Sequence, residues 1–98
     1  ALQRADNAGP HTVGAAQGKA FTSASARANT SAMLENVQKN PGAQTLVDIP
    51  GFLVLGGGVP VKVGNEVIGA VGVGGAPGGH LDEACATAGI AKVAELLK

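Results

Sequence analysis

Apolar and polar positions change period several times along this chain, and each change marks an element. Val13, Ala16, Ala20 and Ala24 recur at helical spacing, with Phe21 beside them and Gln17 and Arg27 at the edges. They predict a helix with a small, closely packing face, capped by Thr12. Ahead of it, Ala1 to Arg4 reads as a strand running into the turn formers Asp6-Asn7-Ala8-Gly9-Pro10. A second, shorter helix is predicted from Thr30 to Gln38, with Thr30 or Ser31 as cap and Met33, Leu34 and Val37 as its apolar side. Asn40-Pro41-Gly42 ends it. Gln44 to Pro50 reads as a connector. The continuous apolar run Phe52-Leu53-Val54-Leu55 predicts a strand covered on both faces, stopped by Gly56-Gly57-Gly58.

The second half has the firmer local signals. Val59 to Val63 and Glu66 to Val73 alternate as strands, and Gly64-Asn65 between them suits a two-residue hairpin turn. Gly69, Gly72 and Gly74 weaken the second strand but allow another backbone to come close. After Ala76-Pro77-Gly78-Gly79 a helix is predicted from about His80 to Leu97. Asp82 and Glu83 in its first turn and Lys92 and Lys98 near its end match the helix dipole. Cys85, Ala86, Gly89, Ile90, Val93, Leu96 and Leu97 share one side, with Asp82 toward it. Glu83, Thr87, Lys92 and Glu95 occupy the other.

Composition limits what these elements can build. A chain of 98 residues makes one domain at most, and its apolar share is mainly Ala and Val, with Phe21 and Phe52 as the only aromatics. Each buried side chain therefore contributes little area, the core is thin, and help from a partner chain is expected. Seven basic residues balance seven acidic ones, which leaves no net field to attract nucleic acid, and no aromatics are interleaved with basic residues for base stacking. No apolar run approaches the roughly 20 residues of a membrane span. The single cysteine, Cys85, excludes an internal disulfide and a cysteine-based zinc site. On the apolar side of its helix it reads as a small buried hydrophobe rather than a nucleophile. The opening Ala1-Leu2-Gln3-Arg4, with no Met or signal-like segment, suggests processing or a cut.

Chemistry is concentrated at the start of the last helix. The glycine-rich stretch Gly74 to Gly79 can present backbone N–H groups, with His80, Asp82 and Glu83 crowded after it. It has neither the Gly-Lys-Ser/Thr of a phosphate loop nor the spacing of a dinucleotide fingerprint. His80 and Asp82 are of the types that ligate a metal, or His80 could move protons near neutral pH. The competing structural reading makes Asp82 and Glu83 dipole-matching residues and His80 a solvated cap. His11 sits on the loop before the first helix, where a side chain can reach a cleft, although a lone loop histidine is more often a surface residue. Lys19 and Arg4 could face a carboxylate, but solvated surface charge is the simpler reading of both. No Ser/His/Asp order is legible.

Three strings carry a family resemblance: Gln17-Gly18-Lys19-Ala20-Phe21-Thr22, Pro50-Gly51-Phe52 through Gly56-Gly57-Gly58-Val59-Pro60-Val61, and Glu66 through Gly74-Gly75-Ala76-Pro77-Gly78-Gly79-His80-Leu81-Asp82-Glu83-Ala84-Cys85. In order and interval they resemble the GlcG/HbpS family of haem-degrading or haem-binding-like proteins, over nearly the whole chain. The resemblance implies an α/β, layered, profilin-like domain: an antiparallel sheet with packed helices, assembling into homo-oligomers. It also implies that residues 1–98 are the C-terminal two-thirds of one such domain, the missing N-terminal helix and strand being present as a separate chain or lost by cleavage. Family members are associated with haem or corrinoid binding, extracellular redox sensing, glycolate-related operons and aromatic breakdown, so kinship implies a binding module more directly than a reaction.

The expectation is a small-molecule binding protein acting at an oligomer interface, with haem or another tetrapyrrole or anionic ligand held by Gly78, Gly79, His80 and His11, and Asp82 beside them. Two other classes stay open. One is a small hydrolase or isomerase acting on a carboxylated substrate through His80 or Asp82, with loop N–H groups stabilising charge. The other is an assembly subunit without a ligand. The string Gly9-Pro10-His11-Thr12 resembles exported versions, which implies a periplasmic or secreted location, with a cytoplasmic one as the alternative.

Overall fold

A computed structural model describes residues 1–97. Its elements run α1 (His11–Ala26), α2 (Thr30–Lys39), a 3₁₀ helix (Pro41–Asp48), β1 (Gly58–Val63), β2 (Glu66–Gly72), α3 (Gly79–Val93) and a final 3₁₀ turn (Ala94–Leu97). The two strands pair antiparallel around Gly64-Asn65, with Gly58 opposite Gly72, Val59 opposite Val71 and Val63 opposite Glu66, and one irregularity between Val61 and Lys62. Gly64 takes φ +61°, the left-handed conformation that a tight hairpin turn requires. The predicted hairpin is present, as is the α/β layering of helices on an antiparallel sheet.

Side chains alternate across the sheet, so its two faces meet different helices. On the face of Gly58 and Gly72, α1 lies directly against the strands. A Cβ built at Gly72 would stand 2.0 Å from the Ala16 carbonyl oxygen, and one at Gly58 would stand 2.4 Å from that of Lys19. Glycine is needed at both positions for the helix backbone to reach the sheet. The opposite face carries Val61 and Val71, which border one groove together with Ala86 and Ile90 of α3.

This close approach changes which side of α1 is buried. The buried positions are Thr12, Lys19, Thr22 and Ser23, whereas Val13, Ala16 and Ala20 are half-buried and Ala24 is exposed. The core is correspondingly polar, and its hydroxyls hold backbone. Thr22 Oγ1 donates to the Gly18 carbonyl at 2.7 Å and accepts from Leu53 N–H at 2.8 Å. Thr30 Oγ1 accepts from Gly58 N–H at 2.9 Å, and Ser23 Oγ donates to the Ala28 carbonyl at 2.8 Å.

Several local expectations are corrected. Phe52 to Leu55 forms no strand, because Leu53 N–H is taken by the Thr22 hydroxyl rather than by a neighbouring strand. Only Val54 of that run is buried, Leu55 is 48% exposed, and the ring of Phe52 rests edge-on against Phe21. Ala1 to Arg4 is exposed and non-regular, and the Arg4 guanidinium donates back to the Ala8 carbonyl. The connector from Gln44 falls within the 3₁₀ helix, which Asn40 starts by accepting from Gly42 N–H. Thr12 does not cap α1: Pro10 holds the cap position, and the Thr12 hydroxyl donates to the Gly9 carbonyl. Cys85 is exposed rather than buried, since the apolar side of α3 lines an open groove of about 330 Å³. Lys98, expected to match the α3 dipole, lies outside the described residues.

The glycine contacts generate a paired test. Gly72→Ala is expected to destabilise the protein by about 2–3 kcal/mol, because the added methyl displaces the α1 backbone. Gly69→Ala in the same strand, with nothing within 4 Å of its Cβ, should change stability by less than about 0.5 kcal/mol. Urea unfolding midpoints of the two variants check the contrast.

Candidate functional site

The segment between β2 and α3 is shaped by two close backbone approaches. Val73 N–H donates to the Gly57 carbonyl at 3.0 Å, which continues the hairpin pairing past the end of β2. Gly56 lies against Gly79, where a Cβ on Gly56 would come within 3.0 Å of the Gly79 carbonyl group. Gly57 itself adopts φ +132°, and a Cβ there would stand 2.6 Å from the Val73 carbonyl oxygen and 2.9 Å from both Asp82 Cβ and Lys19 Cδ. The glycine triplet therefore brings the start of α3 close to α1 and leaves room between them for two charged side chains.

Those side chains are paired. Lys19 Nζ donates to Asp82 Oδ2 at 3.0 Å and to the Val73 carbonyl at 3.0 Å, and Asp82 Oδ1 accepts from Ala76 N–H at 2.9 Å. Their side chains are only 6% and 4% exposed. One ion pair thus ties α1 to the first turn of α3, the end of β2 and the glycine loop. Lys19, which reads in the sequence as a solvated charge, is buried instead. The available signal was its spacing with Thr12, Thr22 and Ser23 along α1, together with an acid on the apolar side of the last helix.

Above this pair opens a cavity of about 700 Å³, walled by the loop Gly74 to Gly79, the turn before α1, the first half of α1, and Leu34 and Leu55. His11, Gly78, Gly79, His80 and Asp82, separated by up to 71 positions in the chain, all line it, and so does Lys19. The two histidines sit in matching turns. A Cβ built on Gly9 would lie 2.8 Å from the His11 ring, and one built on Gly78 would lie 2.7 Å from the His80 ring. Each imidazole therefore folds back over the glycine two residues before it, at the first turn of a helix. Both are exposed, and neither helix start carries a side-chain cap. Cys85 does not line this cavity and faces the groove beside the sheet.

Among the described residues no three His, Cys, Asp or Glu side chains converge as a metal site. Both Asp82 oxygens are already engaged, by Lys19 and by Ala76 N–H. The arrangement suits binding: two imidazoles and a buried ammonium beside a wall with few side chains.

A family model described as "Haem degrading protein HbpS-like" matches residues 1–91. The chain belongs to the HbpS-like family. Protein GlcG of Escherichia coli strain K12 is 42% identical over 73 residues, which cover 74% of this chain and 53% of that protein. The chain thus spans about half the length of the curated relatives it matches. The crystal structure of HbpS superposes with a TM-score of 0.85 at 44% identity, covering 93% of this chain and 62% of that one. The Klebsiella pneumoniae protein ORFY gives a TM-score of 0.84 at 28% identity, covering 91% and 62%. The HbpS-like layering of helices on an antiparallel sheet is the one described above. Among the described residues no helix is long and apolar enough to cross a membrane.

The ion pair generates the second prediction. Lys19→Met leaves the Asp82 carboxylate buried without its partner and should cost about 3–5 kcal/mol. The double variant Lys19→Met/Asp82→Asn, which removes both charges and keeps an acceptor for Ala76 N–H, should recover most of that loss. Urea unfolding of the two variants against the parent protein measures the difference.

Proposed function

We propose that this HbpS-like protein binds a planar, acid-bearing small molecule in the cavity between the starts of α1 and α3, with haem as the leading candidate. The observation that carries this reading is the convergence of His11, His80 and the Gly74–Gly79 loop on one cavity of about 700 Å³. That volume lies within the roughly 300–1,000 Å³ of small-molecule sites. The residues fit such a group in kind. Either imidazole would be able to ligate haem iron, Leu34, Leu55 and Ala15 would supply apolar contacts, and the glycines would let a flat face come close to the backbone. Haem would supply the redox chemistry of its iron, while the chain's own residues bind and orient it. The description of the family model as haem-degrading supports the same choice of ligand.

Association with further polypeptide belongs to this reading. The apolar side of α3 and of the 3₁₀ turn after it is incompletely covered, with Val93 45% and Leu96 83% exposed, and surface of that kind marks an interaction site. We read residues 1–98 as the C-terminal two-thirds of one domain that works in a homo-oligomer, a reading supported by the 62% coverage of the HbpS chain. An exported location is part of the proposal and rests on the Gly9–Thr12 string.

Titration with haemin should give a saturable Soret shift at micromolar protein. The shift should be lost or strongly weakened in His80→Ala, a substitution at an exposed position that leaves the fold intact, and reduced less in His11→Ala. Absence of any spectral change with the parent protein would overturn haem as the ligand.

A further inference from the structure

Burying a charged pair costs desolvation, and an apolar pair of similar volume commonly gives equal or greater stability, so stability does not by itself account for Lys19 and Asp82. Their location adds a second fact, because both line the cavity rather than being sealed in the core. Their hydrogen bonding is also unequal. Each Asp82 oxygen has a protein donor, one from Lys19 and one from Ala76 N–H. The Lys19 ammonium has three hydrogens and, among the described residues, two acceptors: Asp82 Oδ2 and the Val73 carbonyl. One ammonium hydrogen of this cavity-lining residue has no protein acceptor among the described residues. Lys19 is also the only lysine or arginine among the lining residues. The starts of α1 and α3, both without side-chain caps, open on the same space and add positive potential there.

We propose that Lys19 is the charge-reading group of the cavity, its remaining ammonium hydrogen donating to a carboxylate of the bound molecule, so that the site selects carboxylated ligands over neutral ones of the same shape. This rests on the reading of the cavity as the site of an acid-bearing ligand and adds the residue that recognises the acid. Asp82 then acts as a positioning residue: it holds the ammonium in place, and Ala76 N–H holds Asp82. Lys19 is the specificity-determining residue, while the imidazoles contact the body of the ligand.

The test compares haemin, which carries two free carboxylates, with haemin dimethyl ester, in which both are neutral, by Soret titration under identical conditions. The parent protein should bind haemin at least about tenfold more tightly than the ester, as expected for a charge-assisted hydrogen bond in a partly dehydrated site. In Lys19→Met/Asp82→Asn, which has no unpaired buried charge, the ratio of haemin to ester affinity should fall to near onefold, whatever the variant's affinity for the ester itself. Equal binding of acid and ester by the parent overturns the assignment of Lys19 and leaves the cavity reading standing. Retention of the full preference in the double variant also overturns it. Failure of both porphyrins to saturate the parent overturns the haem reading and the assignment together.

Discussion

Lys19 and Asp82 lie 63 positions apart, on different helices, and meet where almost no water reaches them. A buried charge is tolerated only when every neighbour is arranged to satisfy it, and here the arrangement includes the Val73 carbonyl, the Ala76 amide and the space left by Gly57. Val73 and Ala76 belong to the loop between β2 and α3 and Gly57 to the approach to β1, so the pair sets where α3 begins relative to α1 and how that loop runs. The cavity wall follows from that loop. The pair narrows the backbone conformations open to the glycine-rich stretch and so helps define the space that the two imidazoles line.

The rest of the core follows the same pattern of polar side chains holding backbone. A two-stranded sheet is too small to be stable alone, and here it is braced by hydroxyls. Thr30 binds the first residue of β1, and Thr22 binds the segment before the glycine triplet. Close helix–sheet contact at Gly58 and Gly72 replaces the large apolar side chains that the chain lacks. The consequence is a domain well tied around its site and only partly covered along α3, where apolar residues border an open groove. That uneven distribution fits the proposed assembly with further polypeptide.

The site was legible in kind. His80, Gly78, Gly79 and Asp82 are neighbours in sequence, and a glycine run before a helix announces exposed amides wherever it occurs. His11 was legible only as a loop histidine, since its arrival at the same cavity depends on how α1 crosses the sheet. Lys19 was misread for the same reason. Side-chain type suggests a solvated lysine, and only the acid opposite it, supplied by a distant helix, makes its burial possible. The run Phe52 to Leu55 was misread because apolar continuity does not reveal whether a partner strand exists, and its amide at Leu53 found a hydroxyl instead.

Local periodicity and turn chemistry in the sequence determined the three helices, the hairpin at Gly64-Asn65 and the glycine entrance to the last helix, because these depend on residues within a few positions of one another. The tertiary structure decided which helix face is buried, which glycines are needed for backbone contact, and that a lysine and an aspartate would form the floor of a cavity shared by two histidines. Those outcomes depend on close approach between segments far apart in the chain, and the energy of such contacts exists only once the layers have packed.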